Sequence, residues 1–414
     1  PGMETLVRRA YTGKFETEDL TPTVSVGPFQ VLELFRGPTS AFKDVALSML
    51  PQLLTAAKEE KGITREIRIL TATSGDTGKA ALVGFQDVPG VRIQVFYPQG
   101  GVSQVQRAQM VTQEGGNVSV CAVEGNFDDA QTGVKQIFTA FQGKELPFLL
   151  SSANSINIGR LAPQIMYYFR CYADLLNRKV IALGDPVDFC VPTGNFGDIL
   201  AGYFAKKLGL PVGRLICASN ANNVLTEFLT TGRYDRRRPL HKTTSPSMDI
   251  LVSSNLERLL YLLSGDQALV ASLMEDLSQK GYYQVPEELL GAIQKEFGAG
   301  CCDDETAKAT IGKVYKEQGY LMDPHTACAW AVAETHRGNA PMVVLSTASP
   351  YKFSSAVLSA IGGDVSGSEF ERMDRLQALT GVPIPANLRS LRGKPELHTD
   401  VIPKEQMPEY VLGR

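Results

Sequence analysis

LFRGPTSAFKDVALSML, residues 34–50, turns the chain from a strand into a helix and sets a lysine at the join. The apolar run Pro28–Phe35 has β character, and Gly37 and Pro38 end it in a turn. Thr39 and Ser40 stand where a helix cap is needed, and Phe42, Val45, Ala46, Met49 and Leu50 then recur at helical spacing. Lys43 falls in the first turn, where the positive end of the helix dipole disfavours a second cation. That placement, with partial burial, lowers an amine's pKa and makes it nucleophilic, as a Schiff-base lysine requires. A solvated lysine at a helix start is the competing reading from this stretch alone.

Outward from it, residues 66–220 alternate short strands with helices. IRILTAT, RIQVFYP, NVSVCAV, VDFCVP and RLICASN read as strands, several of them almost continuously apolar. Helix-length segments lie near 77–86, 103–113, 126–142, 156–178 and 197–209. This alternation predicts an α/β fold of open, mainly parallel sheets covered by helices, with ligands at the carboxyl ends of the strands. Residues 221–320 read as a helix-rich insertion. Its linking stretch GRYDRRRPLHKTTSPS is polar and basic, as a solvated surface loop would be. Strand character returns at PMVVLSTASP, and a helix follows from about Lys352.

The 414 residues are enough for two or three domains, and 43% hydrophobic with 21% charged residues is ordinary for a globular protein. A net charge of −3 without a basic tail speaks against nucleic acid, and the sequence holds neither a membrane-length apolar run nor a signal-peptide core. Seven cysteines without C-x-x-C spacing argue for reduced thiols in the cytoplasm, and four scattered histidines give a metal site little support.

Six stretches carry chemistry. TATSGDTGKAA (Thr71–Ala81) follows a strand and opens a helix, gathering N–H groups and the hydroxyls of Thr73, Ser74 and Thr77 into a nest for a carboxylate or phosphate. VPTGNFGDILAG (Val191–Gly202) has the same grammar but neither the P-loop nor the dinucleotide spacing, so it suits a single phosphate group. LSSANSINIGR (Leu150–Arg160) ends in an arginine fork, or in an ordinary capping loop. VVLSTASPYKF (Val343–Phe353) puts Thr347 just beyond a strand, where its hydroxyl serves a buried heteroatom or caps a helix. SPSMDILVSSNLER (Ser245–Arg258) and DPHTACAW (Asp323–Trp330) are helix entries, each more often structural. A lysine, a phosphate cup, a carboxylate nest and an extra anion site are the set that pyridoxal phosphate chemistry needs.

FRGPTSAFKD, TATSGDTGKAA, SINIGR, VPTGNFGDILAG, SPSMDILVSSNLERLL, DPHTA and TASPYKF together resemble, in order, the motif series of threonine synthase from about residue 5 to 360. The resemblance implies a fold type II pyridoxal-phosphate enzyme. Its larger, cofactor-binding domain would comprise residues 1–45 and 161–414, with the insertion at about 221–320, and its smaller α/β domain residues 46–160. It implies pyridoxal 5'-phosphate on Lys43, its phosphate wrapped by Gly194, Asn195, Phe196, Gly197 and Asp198, and Thr347 facing the pyridine nitrogen. Thr73, Ser74, Asp76 and Thr77 would surround the substrate carboxylate and the ring, and Ser155, Asn157 and Arg160 the substrate phosphate. The implied reaction converts O-phospho-L-homoserine and water to L-threonine and phosphate, in a cytoplasmic monomer or homodimer. Two alternatives stand beside it: a phospho-amino-acid lyase that stops at a 2-oxo acid, and a ligand-binding relative without activity. The sequence departs from the family in four places: Arg36 and Ser40 stand where relatives show His and Leu, and Ser349 and Tyr351 where they show His and Ala. The family's N-terminal segment with its PDGGL-like turn is expected to be missing from a chain that opens Pro1-Gly2-Met3.

Overall fold

The apolar runs form strands because their side chains have sheet faces on both sides to fill. The computed structural model describes residues 2–413. Its strands in chain order are β1 (Thr23–Val26), β2 (Phe29–Glu33), β3 (Glu66–Ala72), β4 (Val91–Pro98), β5 (Val118–Glu124), β6 (Phe148–Ser152) and β7 (Val187–Pro192). They continue as β8 (Val212–Ser219), β9 (Arg233–Asp235), β10 (Tyr282–Gln284), β11 (Phe297–Cys301), β12 (Met342–Ser346) and β13 (Val401–Pro403). One sheet runs β1-β2-β12-β7-β8-β11 and is parallel except for the antiparallel β1–β2 pair. A second runs β13-β5-β4-β3-β6 and is parallel throughout.

Side chains alternate between two cores on each sheet, as the period-2 pleat demands. Phe189 and Val191 of β7 join Tyr167 and Leu200 on one face, while Cys190 joins Ala327 and Trp330 on the other. In the smaller sheet Ile67 and Ile69 pack with Leu47 and Leu82, and Leu70 with Ala130 and Met407. The helix Lys43–Glu60 connects the two sheets: Val45 enters the larger core, Leu47 and Leu50 the smaller.

Several expectations are corrected. Thr39 and Ser40 do not cap the helix at Lys43: its N-cap is Phe42, without a side-chain hydrogen bond. The Thr39 hydroxyl donates instead to Asp44 Oδ1 at 2.6 Å, because a buried carboxylate is the stronger acceptor. The helix-rich insertion also carries three short strands that the sequence reading did not place: Phe297–Cys301 (FGAGC) extends the larger sheet beside β8, and β9 pairs with β10. The linking loop is exposed only in part: Tyr234 and Ser245 are buried, and Ser245 is held through Asn220, which in turn bonds Thr243 and Asp249. The helix expected from Lys352 starts at Ser354, after a 3₁₀ turn over Pro350–Phe353. The domain division needs one amendment. Val401–Pro403 pairs with β5 and Met407–Gly413 packs under it, so the end of the presumed larger domain belongs to the smaller sheet.

Candidate active site

Lys43 is the first residue of its helix, held in place from the other end of the molecule. The Phe42 N–H donates to Thr347 O at 2.8 Å and Ser349 N–H to Ser40 O at 3.1 Å, joining the lysine loop to the segment after β12. Ser40, fully buried, takes φ +60°, a conformation that costs a side-chain-bearing residue energy and persists only where its surroundings impose it. Asn387 supplies that constraint: its Oδ1 accepts from Ser40 Oγ at 3.0 Å and its Nδ2 donates to Pro38 O at 2.7 Å. The Oγ bond to Asn387 gives Ser40, one of the departures from the family, a structural task, and Ser349, another, accepts the Tyr351 N–H on its Oγ at 3.3 Å.

The Lys43 amine donates to Ser247 Oγ at 3.4 Å and lies 3.9 Å from Asp76 Oδ2. Burial lowers its pKa to about 8; Asp76 and Asp198 oppose that, while Arg160 and Lys352 reinforce it. An amine so poised is nucleophilic near neutral pH. Ser247 is also the bridge to the Gly-rich turn: a β-carbon on Gly194 would stand 2.6 Å from Ser247 O. The lysine and the turn therefore meet across one residue.

At that turn the N–H groups of Gly194, Asn195, Phe196 and Gly197 donate to no acceptor among the described residues. Phe196, the N-cap of the helix Gly197–Lys207, takes φ +61° within this turn. Such an array at a helix start is a cup for one phosphate group. Asp198 differs, for its N–H and that of Ile199 turn to its own carboxylate. Burial holds that carboxyl up at about 7, so the cup is not opposed by a full negative charge. The backbone of the cup is fixed from outside by Asn255 and Ser253, through bonds to Asn195 O and Gly194 O at 2.9 Å each, and Ser254 holds the Asn195 side chain at 3.3 Å. Thr347, buried at the end of β12, makes no side-chain hydrogen bond among the described residues, which leaves its hydroxyl for a heteroatom.

In the other turn the N–H groups of Ser74, Asp76 and Thr77 are likewise without acceptors among the described residues. Thr73 builds the turn, its Oγ1 accepting from Gly75 N and Gly78 N at 2.9 Å each. The Asp76 side chain points into the protein rather than toward a ligand. Lys352 Nζ lies 2.5 Å from its Oδ1 and Gln106 Nε2 donates to the same oxygen at 3.0 Å. These partners, with Lys43, hold the carboxyl well below the usual range in spite of its burial.

Arg160 is 4% exposed and has no acidic partner within ion-pair distance among the described residues. Its Nη1 donates to Ala153 O at 2.5 Å, its Nε bonds to nothing, and burial lowers its pKa to about 10. A buried cation left this way is complete only with an anion. Ser155 reaches Ser254 Oγ at 3.1 Å, beside the cup. Asn157 departs from expectation, because both ends of its amide close the local turn on Gly159 N and Ser152 O. Its task is to position Arg160.

Sequence reasoning did not single out Lys352, Gln106 or Asn387, and it read the stretch holding Asp323 and His325 only as a helix entry. His325 Nδ1 lies 2.6 Å from Asp323 Oδ2 and its Nε2 accepts the Ser247 N–H at 3.2 Å, so Nδ1 carries the proton and the ring fixes the residue between lysine and cup. Both histidine and aspartate sit in DPHTA, which reads as a helix start, and only the fold shows what their ring and carboxylate touch.

The chain matches the family model described as pyridoxal-phosphate dependent enzyme over residues 18–347, and that described as threonine synthase, C-terminal, over 326–407. It is 45% identical to threonine synthase of Pseudomonas aeruginosa, covering 80% of this chain and 69% of that one. It is 41% identical over 370 residues to human threonine synthase-like 1, covering 86% of this chain. It spans about half, 49%, of the length of that curated relative. The solved structure of pyridoxal-phosphate-bound threonine synthase from Brucella melitensis superposes with a TM-score of 0.85 at 40% identity, covering 99% of this chain and 83% of that one. The paired sheets are those of the fold type II pyridoxal-phosphate enzymes.

Proposed function

Because the chain belongs to the pyridoxal-phosphate-dependent enzymes, within their threonine synthase branch, we propose that it converts O-phospho-L-homoserine and water to L-threonine and phosphate. It acts as a monomer or homodimer, in the cytoplasm. The observation that carries this reading beyond cofactor binding is Arg160, a buried arginine beside Lys43 without an acidic partner among the described residues. A cofactor phosphate cup and a carboxylate nest are present elsewhere, so a third anion-binding group calls for a substrate with two anionic ends.

Pyridoxal phosphate fits the residues present: an amine titrating near 8 at Lys43, four N–H donors at Gly194–Gly197 without acceptors among the described residues, and the Thr347 hydroxyl. When bound, it supplies the electron withdrawal that makes the substrate's Cα–H acidic. Around it, Lys43 takes and returns protons at Cα, for which an amine titrating close to neutrality is matched. The N–H groups of Ser74, Asp76 and Thr77, with the hydroxyls of Ser74 and Thr77, hold the α-carboxylate. Arg160 and Ser155 hold the phosphate, keep it in place as it leaves, and so direct elimination to Cγ. Asp323 and His325 keep Ser247 against the lysine, and Asn157 keeps Arg160 in its turn.

Product analysis of the full chain incubated with O-phospho-L-homoserine tests this. Threonine and phosphate in equal amounts are expected, whereas 2-oxobutyrate with ammonia would replace the synthase reading by the lyase one. Arg160→Ala with unchanged phosphate release would remove the role given to Arg160.

A further inference from the structure

The site holds two buried lysines for one carboxylate. Lys352 Nζ is fully enclosed, 2.5 Å from Asp76 Oδ1 and 3.2 Å from Thr39 O, and Lys43 Nζ stands on the carboxylate's other side, 3.9 Å from Oδ2. Gln106 donates to Asp76 Oδ1 from the helix Gln104–Val111. Arg160 and Asp198 also face Lys43, Asp44 and Lys79 face Lys352, and His325 reaches Lys43 only through Ser247.

We propose that Lys352 is a positioning residue for the reaction, which satisfies Asp76 in every state of Lys43 and so lets Lys43 stand beside a carboxylate as a neutral amine. The argument is one of charge. An amine that attacks a carbonyl and later accepts a proton must spend part of the cycle uncharged. A lone buried carboxylate at 3.9 Å would oppose this, since an opposite charge within about 4–6 Å favours the charged form by about 1–3 pH units. A second ammonium, closer to the carboxylate and never a reactant, cancels that pull. Lys352 suits this part because its side chain is fully buried and because its other bond, to Thr39 O, fixes it to the loop that carries Lys43. Asp76 in turn lets two cations share one interior.

The inference rests on Lys43 being the residue that binds the cofactor aldehyde. The test is the initial rate of attachment of pyridoxal 5'-phosphate to the full chain as a function of pH, read by borohydride reduction and the mass of the Lys43 peptide. Lys352→Met is expected to move the midpoint of that profile up by about one pH unit or more, about a tenfold lower rate per unit on the acid side. Asp76→Asn is expected to move it down. The double variant, with both charges gone, is expected to return it to near the wild-type value, and it also keeps the test decisive if Lys352→Met alone folds poorly. Lys352→Arg is expected to keep the wild-type midpoint. Slower attachment at every pH with an unmoved midpoint in all four variants would overturn the proposal and leave Lys352 a purely structural residue. Failure to trap Lys43 in the wild type would overturn the cofactor assignment instead.

Discussion

Replacing Gly194 by alanine tests whether the phosphate cup and the lysine are joined through Ser247. The new β-carbon would lie 2.6 Å from Ser247 O and 3.4 Å from Met248 Cα, both backbone atoms, where ordinary contact begins at 3.4 Å. Segment 245–248 must therefore retreat by about 0.8 Å, which no side-chain rotation can absorb. That retreat stretches the Ser247 N–H bond to His325 Nε2, now 3.2 Å, past hydrogen-bonding range. Overpacking costs about 1–3 kcal/mol and a buried N–H left unbonded another ~1–3 kcal/mol. We expect the cofactor-free chain to lose about 2–6 kcal/mol in urea unfolding. Misaligning one charged hydrogen bond in the cup is expected to weaken pyridoxal 5'-phosphate binding about 10- to 100-fold in a spectroscopic titration. Gly197→Ala is the control, because its β-carbon would come no nearer than 3.6 Å, to Asn255 Nδ2, and alanine is the better helix residue. If Gly194→Ala lowers stability and affinity no more than Gly197→Ala does, the bridge through Ser247 is not there.

Other substitutions separate stability from chemistry. Arg160→Met removes an unpaired buried charge, so its thermal midpoint is expected to match or exceed wild type while kcat/KM for O-phospho-L-homoserine falls by about 10- to 100-fold; a destabilised variant with full kcat/KM would contradict this. Asp198, raised to about 7 by burial, binds a proton in the folded chain that the unfolded chain releases near pH 4 (about the ordinary aspartate value). Its stability contribution is thus complete below about pH 4 and is lost as pH rises through about 7. Asp198→Asn is therefore expected to exceed the wild-type urea midpoint at pH 8 and to lose that advantage at pH 4; parallel profiles would show that Asp198 does not titrate this way. His325→Gln, which keeps an acceptor for Ser247 N–H, is expected to retain more stability than His325→Ala by about 1–3 kcal/mol, and equal losses would mean that this bond contributes nothing.

What was legible in the sequence was whatever local grammar encodes. β7 and its turn announce themselves because an apolar run, glycines and a helix occur within a dozen residues, and Lys43 follows a turn that Gly37 and Pro38 mark. Lys352 was not legible, because its partner Asp76 opens the helix after β3, in the other α/β unit, and a lysine in a helix start reads as solvated. Asp323 and His325 look like an N-cap and its neighbour, and Asp323 does cap its helix; the ring's bond to Ser247 depends on how the chain packs. β11 was missed because FGAGC has small residues and little β propensity, so it is a strand only through pairing with β8. The Thr39 cap failed because Asp44, five residues on, competes for the same hydroxyl.

The strand at 401–403 carries a consequence for how the molecule is made. Four strands of the smaller sheet leave the ribosome by residue 152, but the fifth, with Met407 and Val411 to cover Leu70 and Phe96, follows roughly 250 residues later. At about 5–20 residues per second that is a wait of roughly ten seconds to a minute, with one flank of the nascent sheet unpaired and its apolar floor wet. Chaperone dependence during synthesis should therefore concentrate on the half of the protein that is translated first.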